Sequence, residues 1–156
     1  MQQDRKGPVL LCANAKIVPR HTPQVKIVHR DTNILSLVDG GASDVFIELK
    51  QVEAMHEKFE RMHDCPGVLI GDNSTVKPIG KGSFSFSLDN RSYTLDFYVM
   101  NELPFPIILG RSFIIKADML LDIPLGKYYY RNKPQVEKPF ENKEMLCALQ
   151  GLSNKH

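Results

Sequence analysis

Apolar residues in this chain gather into short runs broken by polar, glycine- and proline-bearing stretches. "QVKIVH" (Gln24–His29) and "ILSLVD" (Ile34–Asp39) are β-branched runs on either side of "RDTN", a pattern that predicts a hairpin. A third run, "VFI" (Val45–Ile47), follows "GGAS". Further on, "SFSFSL" alternates strictly and sets Phe84, Phe86 and Leu88 on one face. Asp89-Asn90 supplies a tight turn, and "YTLDFYV" returns with Tyr93, Leu95, Phe97 and Val99 in phase. "VLI" and "TVKPI" flank a "GDNS" tip, with Pro78 marking an edge position. Only one stretch changes period. Val52, Met55, Phe59 and Met62 recur at helical spacing through "ELKQVEAMHEKFERMHD", and Glu57 stands four residues before Arg61. This predicts one amphipathic helix, ended by Cys65-Pro66-Gly67. "PFPIILG" leads into a short helix at Arg111–Ile114, and "ADMLLDIPLGKYYY" reads as a last β segment.

The pattern implies a mostly β domain with one moderate helix and one short one. At 156 residues, with 42% hydrophobic and 24% charged positions, the chain is long and apolar enough for a single core. We expect a basic N-terminal arm over residues 1–22, a domain over 23–130, and a Lys-, Glu- and Pro-rich linker or tail over 131–156. Only "VLLCANAKIV" (Val9–Val18) could form a strand in the arm. A net charge of +2 names no partner, and the arm's loosely placed Arg5, Lys6, Lys16 and Arg20 lack the interleaved aromatics of a nucleic-acid surface. No run is long enough to span a bilayer and no leader stands at Met1. Cys12, Cys65 and Cys147 are odd in number and far apart, as in a reducing compartment. The expectation is an intracellular, cytoplasmic protein without a membrane partner.

Several chemical motifs fall away on spacing. His56, His63 and Cys65 make no closed zinc set, so neither metal nor cofactor is expected. Gly40-Gly41 is followed by no Lys-Ser/Thr of a phosphate loop. Ser43 has neither a Gly-x-Ser-x-Gly setting nor a histidine partner in view. Asp39 remains. An aspartate at a strand end is commonly a turn-former, but here two glycines, an alanine and a serine follow it directly. Small residues there let another backbone, or a second copy of the same loop, come close. Two carboxylates brought together cannot both ionise; one keeps its proton, the other acts as base, and a water between them is activated.

"ILSLVDGGASDVFI" resembles the active-site segment of retropepsin-like aspartic proteases, where an apolar strand leads into Asp-Thr/Ser-Gly-Ala. "LPFPIILGRSFI" (Leu103–Ile114) resembles the family's apolar strand, glycine and short helix packed behind that loop. "VLIGDNSTVKPIGKGSFSFSLDNRSYTLDFYVM" is similar in spacing to the flap and following hairpin, closest to proteases of long-terminal-repeat retrotransposons. The likeness covers about Gln24 to Tyr130. It implies a closed, barrel-like acid-protease fold that works as a homodimer, since Asp72, Asp96, Asp118 and Asp122 offer no second motif in cis. It implies Asp39 as the catalytic aspartate and the backbone of Gly41, Ala42 and Ser43 as the wall that bonds an extended peptide. Ile70, Gly71, Asp72, Asn73 and Ser74 become the flap, and Gly40, Gly110 and Arg111 support the active-site loop. The implied function is an aspartic endopeptidase processing a retroelement polyprotein, in the cytoplasm or within virus-like particles. Gly40 departs from the family's Thr or Ser, and Ser112 from its Asp or Asn. The missing hydroxyl removes two cross-axis hydrogen bonds of about 1 kcal/mol each. The alternative reading is therefore a catalytically impaired dimeric peptide-binding or assembly module of the same fold.

Overall fold

The computed structural model describes residues 10–13, 21–70 and 73–153, excepting the side chains of 149–153. In chain order the elements are β1 (Leu10–Leu11), β2 (Gln24–His29), β3 (Thr32–Val38), β4 (Val45–Glu48), α1 (Leu49–Ala54), β5 (Phe59–Arg61), β6 (Val68–Leu69) and β7 (Thr75–Val76). Then follow β8 (Gly80–Leu88), β9 (Arg91–Met100), β10 (Ile107–Leu109), α2 (Arg111–Ala117), β11 (Met119–Asp122), β12 (Lys127–Tyr130), β13 (Lys133–Pro139) and α3 (Lys143–Ser153).

Two hairpins supply the frame. β2 and β3 pair antiparallel, with Ile27 opposite Ile34, around Arg30 and Asp31 at φ 47° and 68°. β8 and β9 pair over their whole lengths around Asp89 and Asn90 at φ 53° and 61°. Paired left-handed residues are what two-residue hairpin turns demand, because they match the twist of the flanking strands. β10 lies between β3 and β4, parallel to the first and antiparallel to the second, and β4 runs parallel to β9. The sheet order is β2-β3-β10-β4-β9-β8-β5, and a β2–β8 contact at Val28 and Ser87 closes it into a barrel.

The central strands explain the non-alternating runs of the sequence. Ile34 and Val38 of β3, Val45 and Ile47 of β4, and Ile107 and Leu109 of β10 join the main core with Phe84, Phe86, Phe97 and Phe113. Leu37, Phe46 and Ile108 of the same strands point into a second cluster with Leu10, Cys12, Ala42, Val68, Ile70, Met100 and Leu103. Strands covered on both faces read as continuous apolar runs. β8, by contrast, turns its serines away from the core and alternates cleanly.

Two expectations are corrected. The helix stops at Ala54, and Phe59–Arg61 pairs with Gly80–Gly82 of β8 as a strand. The glycines make this possible: a methyl at Gly80 would lie 2.2 Å from the Glu60 carbonyl oxygen, and one at Gly82 2.7 Å from that of Lys58. Sheet pairing thus overrides the helical period. Glu57 does not pair with Arg61; it meets buried His29 Nε2 at 2.6 Å. The second correction concerns residues 131–153, which are not a loose tail. β13 adds to β12, Phe140 and Leu146 enter the main core, and Asn142 bonds the Gln24 amide and the Thr22 carbonyl at 3.0 Å each. The Lys, Glu and Pro residues that suggested a linker lie on an exposed edge strand, where such residues discourage pairing with other chains. Among the described residues, no helix is long and apolar enough to cross a membrane.

Candidate active site

β3 delivers Asp39 to the end of a core strand. The Val38 amide donates to the Pro23 carbonyl and the Asp39 amide to the Leu109 carbonyl, both at 2.9 Å, so neighbouring strands fix the backbone on two sides. The Asp39 side chain is buried, 6% exposed. Its Oδ1 accepts the Gly41 amide at 2.8 Å, and its carbonyl accepts the Ala42 amide at 3.1 Å. The aspartate is therefore a turn-former as well as a candidate acid, its carboxylate aimed by the loop's own backbone. Gly40 and Gly41 are exposed.

The clamp on this loop comes from α2. The first amides of a helix lack intrahelical partners. Here Arg111 N–H donates to the Ala42 carbonyl at 2.8 Å and Ser112 N–H to the Ser43 carbonyl at 3.2 Å. Gly110 makes the close approach possible, since a methyl there would sit 2.3 Å from the Asp44 oxygen and 2.6 Å from the Ala42 oxygen. The Arg111 side chain is exposed, so its contact with the loop runs through the main chain. Ser112 Oγ is buried without a hydrogen-bond partner among the described residues. Gly40 is different: a methyl there would meet nothing within 4 Å, and its φ is not left-handed.

The β6–β7 hairpin stands beside the loop. Ile70 is 3% exposed and shares the second cluster with Ala42 and Leu37. Its amide donates to the Ser74 carbonyl at 3.0 Å, and the Asn73 amide, at φ 68°, donates back to the Ile70 carbonyl at 2.9 Å. Gly71 and Asp72, assigned to the flap, lie outside the described residues; Asn73 and Ser74 are exposed. A groove of about 880 Å³ runs on from Ile70 and Val76 past Glu48, Lys50 and Met100–Pro104. Asp39 is not among its lining residues. No group of three or more His, Cys, Asp or Glu is placed to hold a metal among the described residues.

Sequence reasoning missed one participant. β1 pairs parallel with β6, and Cys12 bridges to Ala42. The Ser43 amide donates to the Leu11 carbonyl at 2.9 Å, and the Leu11 amide donates to Ser43 Oγ at 3.0 Å. Ser43 Oγ in turn donates to Asp44 Oδ2 at 2.8 Å. The signal was the strand-like "VLLCANAKIV", which composition alone leaves in an arm.

Among known proteins, no family model and no curated sequence matches this chain. Solved structures do. The retroviral protease-like domain of Ddi1 from Leishmania major aligns at TM-score 0.58 and 16% identity, over 79% of this chain and 92% of that one. EIAV protease, solved with the inhibitor HBY-793, aligns at TM-score 0.53 and 17% identity, over 65% of this chain and 92% of its own. At such identities the likeness is one of fold. The chain has the retropepsin-like fold, the closed β-barrel of the acid proteases.

Proposed function

We propose that the protein is an aspartic endopeptidase that acts as a homodimer, with Asp39 contributed by each subunit. The observation that carries this reading is a buried carboxylate at the tip of a loop held by β10 on one side and α2 on the other. Beside it, the Gly40-Gly41 backbone is bare and exposed. A second copy of such a loop could approach without side-chain collision, bringing two carboxylates into mutual reach. One of them would hold a proton. The ionised one takes a proton from water as the oxygen attacks the peptide carbonyl, and the protonated one gives its proton to the carbonyl oxygen. Collapse of the tetrahedral intermediate breaks the C–N bond; the carboxyl that took the water's proton passes it to the departing amine, and a hydroxyl of the intermediate returns a proton to the other carboxylate. Gly41–Ser43 and the β6–β7 hairpin would grip the peptide by main-chain pairing. A retroelement polyprotein is the substrate class that fits a domain of this kind.

The impaired module is the second reading, favoured by Gly40: no hydroxyl is present there to tie two loops together. One comparison tests both. Wild type and Asp39→Asn are incubated at mildly acidic pH with a peptide library, products are read by mass spectrometry, and association is followed by sedimentation. Cleavage by the wild type, lost in Asp39→Asn with association unchanged, is the expected result. Equal cleavage by both proteins sinks the catalytic assignment; no cleavage by either, with association intact, selects the module.

A further inference from the structure

Leu10–Ala13 lies between the loop that follows Asp39 and the β6–β7 hairpin. On the hairpin side, the Leu10 amide donates to the Gly67 carbonyl at 3.2 Å and the Cys12 amide to the Leu69 carbonyl at 3.0 Å. On the loop side, Leu11 engages Ser43 through both its amide and its carbonyl. Successive residues thus bond alternately to the two walls, as an extended strand must when it is held between two edges. Side chains follow the same alternation. Leu10 is 8% exposed and Cys12 0%, both in the cluster with Ala42, Val68 and Ile70, whereas Leu11 is half-buried. Ala13 comes next to the glycines: a methyl on Gly41 would stand 3.8 Å from Ala13 Cβ and 3.2 Å from Asp39 Oδ1. The segment therefore runs toward the carboxylate.

We propose that this segment is the resident occupant of the protein's own peptide groove, so that the site is self-occluded and outside peptides must displace it. The inference rests on reading the space between loop and hairpin as a peptide site, but it concerns binding and not hydrolysis. It also names the ligand class: an extended peptide with a large aliphatic residue where Leu10 stands and small residues where Cys12 and Ala13 stand. Cys12 is enclosed completely, so a larger side chain at that position has no room. The occupant is tethered to the same chain, and tethering gives it an effective concentration on the order of millimolar. A free peptide of equal intrinsic affinity would then be outcompeted.

The test uses the full chain and a fluorescent synthetic peptide, Gly-Pro-Val-Leu-Leu-Cys-Ala-Asn, copied from residues 7–14. Leu10→Asp places a charge in the apolar cluster, and Leu11→Pro deletes the amide that reaches Ser43; both should release the segment. Fluorescence anisotropy should show each variant binding the peptide about tenfold or more tighter than wild type, with a scrambled peptide binding neither. Hydrogen exchange on the wild type supplies a reading that needs no variant. The Leu10, Leu11 and Cys12 amides should be protected together with that of Ser43. Unprotected Leu10–Cys12 amides, or wild type and folded variants binding the peptide equally, overturn the proposal. Repeating the binding in the Asp39→Asn background separates the two readings. Peptide captured by the released groove but never cut, even with Asp39 present, leaves occlusion standing and removes the peptidase. Cleavage by wild type at the rate of the released variants does the opposite.

Discussion

Replacing Gly110 by alanine places one methyl group against main-chain atoms that have little freedom to move. The added carbon would sit 2.3 Å from the Asp44 carbonyl oxygen, 2.6 Å from that of Ala42 and 2.9 Å from the Ala42 carbonyl carbon. No flexible side chain is among these neighbours, so relief requires α2 and the loop to part. Parting them stretches Arg111 N–H to Ala42 O, now 2.8 Å, and Ser112 N–H to Ser43 O, now 3.2 Å. Overpacking costs about 1–3 kcal/mol, and each weakened bond adds about 0.5–1.5 kcal/mol. Alanine's stiffer unfolded chain offsets up to about 1 kcal/mol. The net loss should be about 3 kcal/mol, a fall in Tm of roughly 6–12 °C for a domain of this size. Urea unfolding followed by circular dichroism measures it, with Gly40→Ala as control because its methyl meets nothing within 4 Å. Hydrogen exchange at Gly41 and Ala42 should quicken in Gly110→Ala and stay unchanged in the control. If Gly110→Ala unfolds within about 0.5 kcal/mol of wild type, the helix does not clamp the carboxylate loop and the account of the site's rigidity is wrong.

Three further outcomes are expected. Gly40→Thr should fold with monomer stability equal or slightly raised, since its side chain enters open space; sedimentation across concentrations should show association strengthened about tenfold or more, and unchanged association would refute the role given to the missing hydroxyl. Phe140→Ala should cost about 3–5 kcal/mol, because that ring is 2% exposed and lies 4.9 Å from Tyr128; a cost near zero would return residues 131–153 to the status of a tail. Tyr128 and Tyr130 both donate to Asp89 Oδ2 at 2.7 Å, and burial, followed by that carboxylate, raises both hydroxyls above the ordinary tyrosine value of 10.0. The folded protein then keeps protons that the unfolded chain releases, so this stabilisation is complete below about pH 10 and is lost as pH rises beyond it. Urea midpoints should fall through that alkaline window, and less steeply in the Tyr128→Phe, Tyr130→Phe double variant; a flat profile in wild type would contradict it.

How much of this was legible depended on how many faces each strand buries. β8 and β9 bury one face, so their alternation and the Asp89-Asn90 turn could be read directly from residue order. β3, β4 and β10 bury both faces, so the sequence announced apolar runs but not the insertion of β10 between the other two. That placement is a long-range pairing with no local signature. The shortened α1 was hidden because the deciding residues, Gly80 and Gly82, stand far along the chain from the strand they admit. β13 was hidden because an exposed edge strand has the composition of a linker. At the site, the small residues after Asp39 marked it as a candidate, whereas the contact of the Arg111 amide with the Ala42 carbonyl joins residues far apart in the chain. The placement of Leu10–Ala13 between the loop and the β6–β7 hairpin was not visible, because its partners Ser43, Gly67 and Leu69 lie far along the chain.

The threading of β10 between β3 and β4 also dictates when the carboxylate loop can exist. Asp39 leaves a ribosome before its amide partner, the carbonyl of Leu109, and Ala42 waits for Arg111. A growing chain therefore carries Asp39 unassembled until β10 and α2 have been synthesised, and such distant pairings are slow to form. Whatever that loop does, the topology of the barrel sets when it can begin.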